Sequence, residues 1–246
     1  IETLDDVFAK HKNGTRALVV GINIGLLGNY EREGSSEHAD IKQAIKGFLG
    51  HKVVDSRFSF LDFESFPKFE IVDGKIRAHF FHKLLNNIVK DDQGNKFRDY
   101  YNKAVADGKD KVLVANYTML RNLHIQRVIV ELLLNARIRK DQFVTARMLL
   151  DFIHCILTGK GFLFDNIFDG GDNELLEVLA DFDPGVIRNH KLDLFILHRT
   201  LDLQDEGFDI FQQEIISKFG VTKFLTPRST VRLFYLLKYT SLENNY

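Results

Sequence analysis

The chain has 246 residues, 45% of them hydrophobic and 27% charged, with 22 Phe and only three Pro; this is ample material for a core and excludes a disordered chain. The formal net charge is −1, and the single cysteine, Cys155, excludes an internal disulfide framework and makes a reducing compartment the natural setting. No apolar run approaches the roughly 18 residues of a membrane span, so no membrane partner is expected.

In chain order, residues 3–12 read as a short helix, with Asp5 and Asp6 in the first turn and Gly14 just past the end. Residues 17–22 form a short apolar run without polar alternation, which predicts a fully buried strand stopping at Asn23 beside Gly25 and Gly28. A buried strand that ends in a polar side chain beside glycines is how α/β proteins present a group to a ligand. Residues 24–33 read as a helix ended by Gly34, and 37–49 as another, capped by Ser35 or Ser36 and closed by Gly50. The aromatic stretch 58–66 predicts a second strand, and Asp73-Gly74 predicts a hairpin within 69–78.

Past Ala78 the apolar period becomes helical. Residues 80–89 and 97–105 repeat at that spacing, 111–115 is a brief apolar run ending at Asn116, and amphipathic helices are predicted over 125–136, 146–157, 174–182, 208–219 and 230–237. The predicted class is α+β, predominantly α-helical: the remnant of an α/β core over 1–78, carrying the hairpin, followed by a helical domain over 79–246.

Charge is unevenly spread. Residues 161–185 hold seven acids, Asp165, Asp172 and Asp183 among them, and no Lys or Arg. Residues 219–240 hold Lys223, Arg228, Arg232 and Lys238 and no acid, and a third basic stretch gathers Arg137, Arg139 and Lys140. Arg137, Arg139, Lys140, Arg228 and Arg232 are therefore candidates to meet nucleic-acid phosphates, the alternative being solvated faces that pair with one another. A four-residue echo links Val144-Thr145-Ala146-Arg147 to Leu225-Thr226-Pro227-Arg228. In each, a threonine can cap a helix and set an arginine in its first turn, against the helix dipole.

Other chemistries are weaker. His79 and His82 lie one helical turn apart without further ligands at zinc-like spacing, so no metal is expected. His154 and Cys155 are adjacent on a predicted helix, which turns them about 100° apart and argues against a nucleophile dyad. Asp62, Glu64, Lys68 and Glu70 read as hairpin surface charge rather than a nuclease site.

The strand ending at Asn23, the following helix, Asp55-Ser56-Arg57-Phe58 entering a second strand, and Thr145-x-Arg147 in a helical region together resemble the latter half of AAA+ type ATPases. The resemblance implies that Asn23 is a first sensor and that Arg57 reaches a neighbouring subunit's nucleotide. It implies a lid arginine as well, Arg147 or Arg228, as second sensor. Nucleotide contacts would then fall to Asn23, Arg147 and Arg228. More narrowly, INIGLLGNYE, ANYTMLRN, VTARMLLDFI and DFDP resemble the ATPase subunit of phosphorothioation-dependent DNA restriction systems over nearly the whole chain. That implies a bacterial cytoplasmic protein of anti-phage defence, working with other subunits of a restriction complex and possibly with DNA. No GxxxxGK[ST] loop and no strand ending in an acidic pair occurs in the 246 residues, so ATP and Mg are expected only in a longer parent and the chain alone is expected not to hydrolyse ATP. Its start at Ile1 fits a fragment. The competing reading is a non-catalytic helical adaptor that binds protein partners or DNA. In that reading Asn23 is an ordinary cap, Arg57 an ion-pair partner and Arg147 a surface cation.

Overall fold

The computed structural model describes every residue except 13, 15, 53, 64, 65, 67, 143, 172, 223–225 and 243–246, and Lys75 by its backbone alone. Glu64, Asp172, Lys223 and Leu225 of the readings above lie outside the described residues. The chain is predominantly helical, with one two-stranded sheet among the described residues. It divides into two compact units, Ile1–Phe66 and Pro67–Tyr246.

The first unit holds α1 (Glu2–Lys12), α2 (Ile24–Glu33) and α3 (Ala39–Leu49), with a 3₁₀ turn at Ser36–His38. Asp5, in the first turn of α1 where a carboxylate suits the helix dipole, ties these pieces together. Its Oδ1 accepts from the Tyr30 hydroxyl at 2.6 Å and from the Ser35 amide at 3.0 Å. The Tyr30 hydrogen bond holds the Asp5 carboxyl below the usual carboxylate range. Burial, with that same bond, pushes the Tyr30 phenol up. Tyr30 is fully buried, and the Phe8 ring meets it edge-on at 5.3 Å.

Residues 17–22 are not the buried strand that their apolar run predicts. They are irregular and pair with no strand among the described residues, and Val19 is 92% exposed. An apolar run becomes a strand only where a neighbour completes its backbone hydrogen bonds; no such neighbour stands among the described residues. Residues 58–63 are likewise irregular rather than a strand, although Phe60 stacks on Phe48 with ring centroids 4.7 Å apart.

The second unit opens with the predicted hairpin, β1 (Glu70–Val72) antiparallel to β2 (Lys75–Arg77), Ile71 opposite Ile76. Asp73 and Gly74 take φ values of 52° and 71°, both left-handed, which a two-residue turn matched to strand twist requires. The helices that follow are α4 (His79–Val89), α5 (Lys96–Asp107), α6 (Lys111–Leu120), α7 (Leu123–Lys140), α8 (Ala146–Thr158), α9 (Leu163–Asn166), α10 (Glu174–Ala180), α11 (His190–Thr200), α12 (Glu206–Phe219) and α13 (Pro227–Leu237). Helix α7 lies at the centre, packed by α6, α10 and α13. It buries Ile125, Val128, Ile129, Leu132 and Leu133 on several sides at once, which is why its sequence lacks a clean apolar stripe.

Two further differences from expectation stand out. The run 111–115 does not end at Asn116 but continues as α6, so Asn116 lies inside a helix and is fully buried. Helix α11 was not expected: its apolar residues do not gather on one side, and none of its residues is fully buried, so the amphipathic signal is missing.

Candidate functional site

Asn23 stands where the irregular apolar run turns into α2. Its backbone is extended, with φ −79° and ψ 156°, and its Oδ1 accepts from the Leu26 amide at 2.7 Å. Asparagine suits this position because its side-chain oxygen satisfies an amide that has no partner within the helix. The cap occupies the acceptor; the Nδ2 donors carry no hydrogen bond among the described residues.

Asn23 and Arg57 line one cleft of about 700 Å³ within the first unit, with Phe8, Ile22, Tyr30 and Phe58 among its other walls. The Arg57 guanidinium donates to Asp55 at 2.9 and 3.0 Å and approaches Asp40 at 3.9 Å. Its Cζ lies 5.4 Å from the centre of the Phe58 ring. Hydrogen bonds from Arg57 hold the Asp55 carboxyl below its ordinary value. The cleft thus joins amide donors and a partly neutralised cation with a mostly aromatic and aliphatic wall that also carries His11, Ser59 and Asp62, a combination that can hold a ligand with an apolar body and a polar end.

In the second unit the echo between residues 144–147 and 225–228 is a shared local structure over its described residues. Thr145 accepts from the Met148 amide at 3.1 Å at the start of α8, and Thr226 from the Ser229 amide at 3.1 Å at the start of α13. Each places an arginine in the first turn. Arg147 is 91% exposed and reaches Asp151 only at 3.6 Å; exposed pairs of this kind contribute little, about 0.3–0.5 kcal/mol. Arg228 is exposed as well, while its backbone packs closely against Gly185, where an added Cβ would lie 3.3 Å from the Arg228 Cβ.

The basic residues expected to meet nucleic acid divide. Arg137 pairs with Asp141 at 3.0 Å, Lys140 with Asp181 at 2.7 Å, and the Arg139 guanidinium lies 5.9 Å from the Phe182 ring centre. All three are in the last turn of α7, where cations offset the carbonyl end of the helix dipole. Arg232 is of another kind: it donates to Asp183 at 2.6 and 3.0 Å and to Asp165 at 2.9 Å, with the side chain only 20% exposed. It clamps α13 to α9 and to the turn at Pro184–Val186, and its charge is consumed by two carboxylates.

Two arrangements have no signal in residue spacing. Asn116 and Asn166, 50 positions apart, jointly hold the turn between α8 and α9. Arg98 and Arg121 share one carboxylate and one tyrosine ring. Neither is visible until the helices are packed.

Among the described residues no group of three or more His, Cys, Asp or Glu gathers as a metal set, and no helix is long and apolar enough to cross a membrane. Comparison with known proteins finds no family model, no curated protein and no solved structure that this chain matches.

Proposed function

We propose that this chain is the sensor and lid portion of an ATPase subunit that acts in DNA restriction, similar to the subunit of phosphorothioation-dependent systems. The observation that carries the reading is that Asn23 lines a cleft in Ile1–Phe66 with its amide donors unused among the described residues; Arg57, whose role in this reading is toward a neighbouring subunit's nucleotide, is exposed at the same cleft. Phosphoryl transfer calls for a positioned water and for neutralised equatorial oxygens, which amide and guanidinium donors supply. The exposure of residues 18–20 supports the reading further, since an apolar run ending in a polar side chain suits the interior of a larger sheet. Arg147, exposed in the first turn of α8 and weakly paired there, fills the lid role, with Arg228 as its counterpart on α13. ATP and Mg belong, in this reading, to a longer protein that contributes the phosphate loop and the acidic pair.

The test is ATP hydrolysis by such a longer protein with single replacements. Asn23→Ser keeps a capping oxygen and removes the amide donors; hydrolysis is expected to fall at least about 10²-fold, the usual loss for one transition-state donor, with little change in stability. Arg147→Ala is expected to lower hydrolysis too. Unchanged turnover in both variants overturns the reading.

A second reading, a helical adaptor, is favoured by α11. Leu194 and Leu197 there, and Leu201 just past its end, are 52%, 54% and 59% exposed. It predicts that Leu194→Glu with Leu197→Glu leaves the fold intact and abolishes co-purification of the other subunits, while Asn23→Ser changes nothing.

A further inference from the structure

Helices α5 and α6 lie side by side, and at their seam two guanidinium groups face one carboxylate. Arg98, on α5, donates through Nε and Nη2 to Asp91 at 3.0 and 3.3 Å. Arg121, which closes α6, comes no nearer than 4.0 Å to the same carboxylate. Both lie over the Tyr101 ring, with Cζ 4.8 Å and 5.9 Å from its centre. Tyr101 in turn stacks on Tyr117 at 4.8 Å and hydrogen-bonds Thr118 at 3.0 Å, so the platform is rigid.

The cluster is short of acceptors. A guanidinium carries five N–H donors, yet Nη1 of Arg98 is buried with no hydrogen-bond partner among the described residues. That nitrogen is out of solvent contact, so the Arg98 donors a ligand could take over are Nε and Nη2, now held on the exposed Asp91. Among the described residues the Arg121 guanidinium makes no hydrogen bond, and its nearest carboxylate, Asp91, is 4.0 Å away. Asp91 itself is 67% exposed, whereas the Arg98 side chain is 16% and the Arg121 side chain 33% exposed. Two fixed cations therefore meet one solvated anion, leaving one positive charge in excess. Glu131 in this unit also meets two cations, but both lie in close contact with it, Arg127 at 3.1 Å and Lys238 at 3.0 Å, whereas Arg121 stays 4.0 Å from Asp91; Arg137 has its own aspartate, and Arg232 has two.

We propose that Arg98 and Arg121 form a binding site for a phosphate-type oxyanion, with Tyr101 as its floor and Asp91 as a displaceable occupant. Planar forks on two sides match the several oxygens of a phosphate better than a single carboxylate does. The site belongs to the second unit, and the proposal does not depend on the ATPase reading. The oxyanion comes either from a small phosphoryl ligand or from a nucleic-acid backbone, since both offer the same group.

The experiment titrates the 246-residue chain with inorganic phosphate at constant ionic strength, chloride serving as the control anion, and follows the arginine side-chain N–H resonances by NMR. Saturable shifts confined to Arg98 and Arg121 are expected, with chloride inert. Arg121→Gln should weaken phosphate at least about tenfold, the loss of one charged hydrogen-bonding group, while Arg188→Gln, a charge removed elsewhere, should not. Asp91→Asn, which removes the competing carboxylate at an exposed position, should tighten phosphate binding. Non-saturable shifts, equal binding by Arg121→Gln, or weaker binding by Asp91→Asn overturn the proposal. A short single-stranded oligonucleotide distinguishes the sources. Tighter binding than phosphate with the same dependence on Arg121 assigns a nucleic-acid backbone, and equal or weaker binding assigns a small phosphoryl ligand.

Discussion

Asn116 and Asn166 converge on one carbonyl oxygen: both side-chain amides donate to Gly161, at 3.1 and 2.8 Å. Asn116 also donates to the Leu157 carbonyl at 3.0 Å and accepts from the Leu163 amide at 2.6 Å, and Asn166 donates to Ile156 at 3.0 Å and accepts from the Gly161 amide at 2.9 Å. The last carbonyls of α8 and the first amides of α9 are thereby satisfied out of water, which a buried helix junction requires. Asn116→Ala leaves several of these groups unpaired at a position with no exposure. It is expected to lower stability by about 2–4 kcal/mol, read as a shift in the urea midpoint with an unchanged slope. A loss below about 0.5 kcal/mol, the range of ordinary surface changes, contradicts this role.

Gly159 makes the same junction possible by its size. Its φ of −57° suits any residue, so conformational freedom is not the reason glycine stands there. A Cβ at this position would lie 2.5 Å from Cγ of Asn166, with Oδ1 and Nδ2 scarcely farther away. Gly159→Ala must displace a side chain held by three hydrogen bonds, and a destabilisation of about 1–3 kcal/mol is expected. Thermal melting of Gly159→Ala beside Gly171→Ala, where no atom lies within 4 Å of the added carbon, separates crowding from a general effect of alanine.

Arg232 offers a direct test of a buried charge cluster. Arg232→Ala leaves Asp165 and Asp183 facing each other without their shared cation, and a loss of about 3–5 kcal/mol is expected. Arg232→Lys keeps the charge and gives up the planar fork that reaches both aspartates, so its loss should be intermediate. Denaturant unfolding of both variants decides the ordering; equal losses would mean that the fork geometry is irrelevant.

Acid sensitivity should trace to Glu131. Burial pushes its carboxyl up, but hydrogen bonds from Lys238, Tyr239 and Arg127 outweigh this and hold it below its ordinary 4.5. The unfolded chain then takes up this proton more readily than the folded one. The Glu131 contribution is present above pH 4.5 and is lost as pH falls through the lower folded value. Asp165 acts with the opposite sign, because burial raises its carboxyl despite Arg232; its contribution is present at low pH and fades as pH rises through the folded value. In urea midpoints measured from about pH 6 down to about pH 3, Glu131→Gln should flatten the acid loss and Asp165→Asn should steepen it.

Much of the secondary structure was legible because its determinants are local. Asp73-Gly74 specifies a turn through backbone torsions alone, and Thr145, Thr226 and Asn23 each satisfy an amide three residues ahead. The failures have a common physical cause. Residues 17–22 carry the composition of a buried strand, but strand pairing is a property of two segments, and composition describes one. The apolar run 111–115 carries no element assignment in its spacing, because a helix that buries Ala115, Asn116, Tyr117, Met119 and Leu120 lacks a clean polar stripe.

Side-chain pairing was less legible still. Spacing put Arg232 in a basic stretch, whereas packing brought two aspartates from positions 67 and 49 residues away onto its guanidinium. Caps, turns and apolar periodicity act over a few residues and are written into the chain. Which cations are neutralised and which face solvent, and which amides are buried, depend on groups made neighbours only when the helices pack, because charge and hydrogen-bond valence are satisfied in space rather than along the backbone.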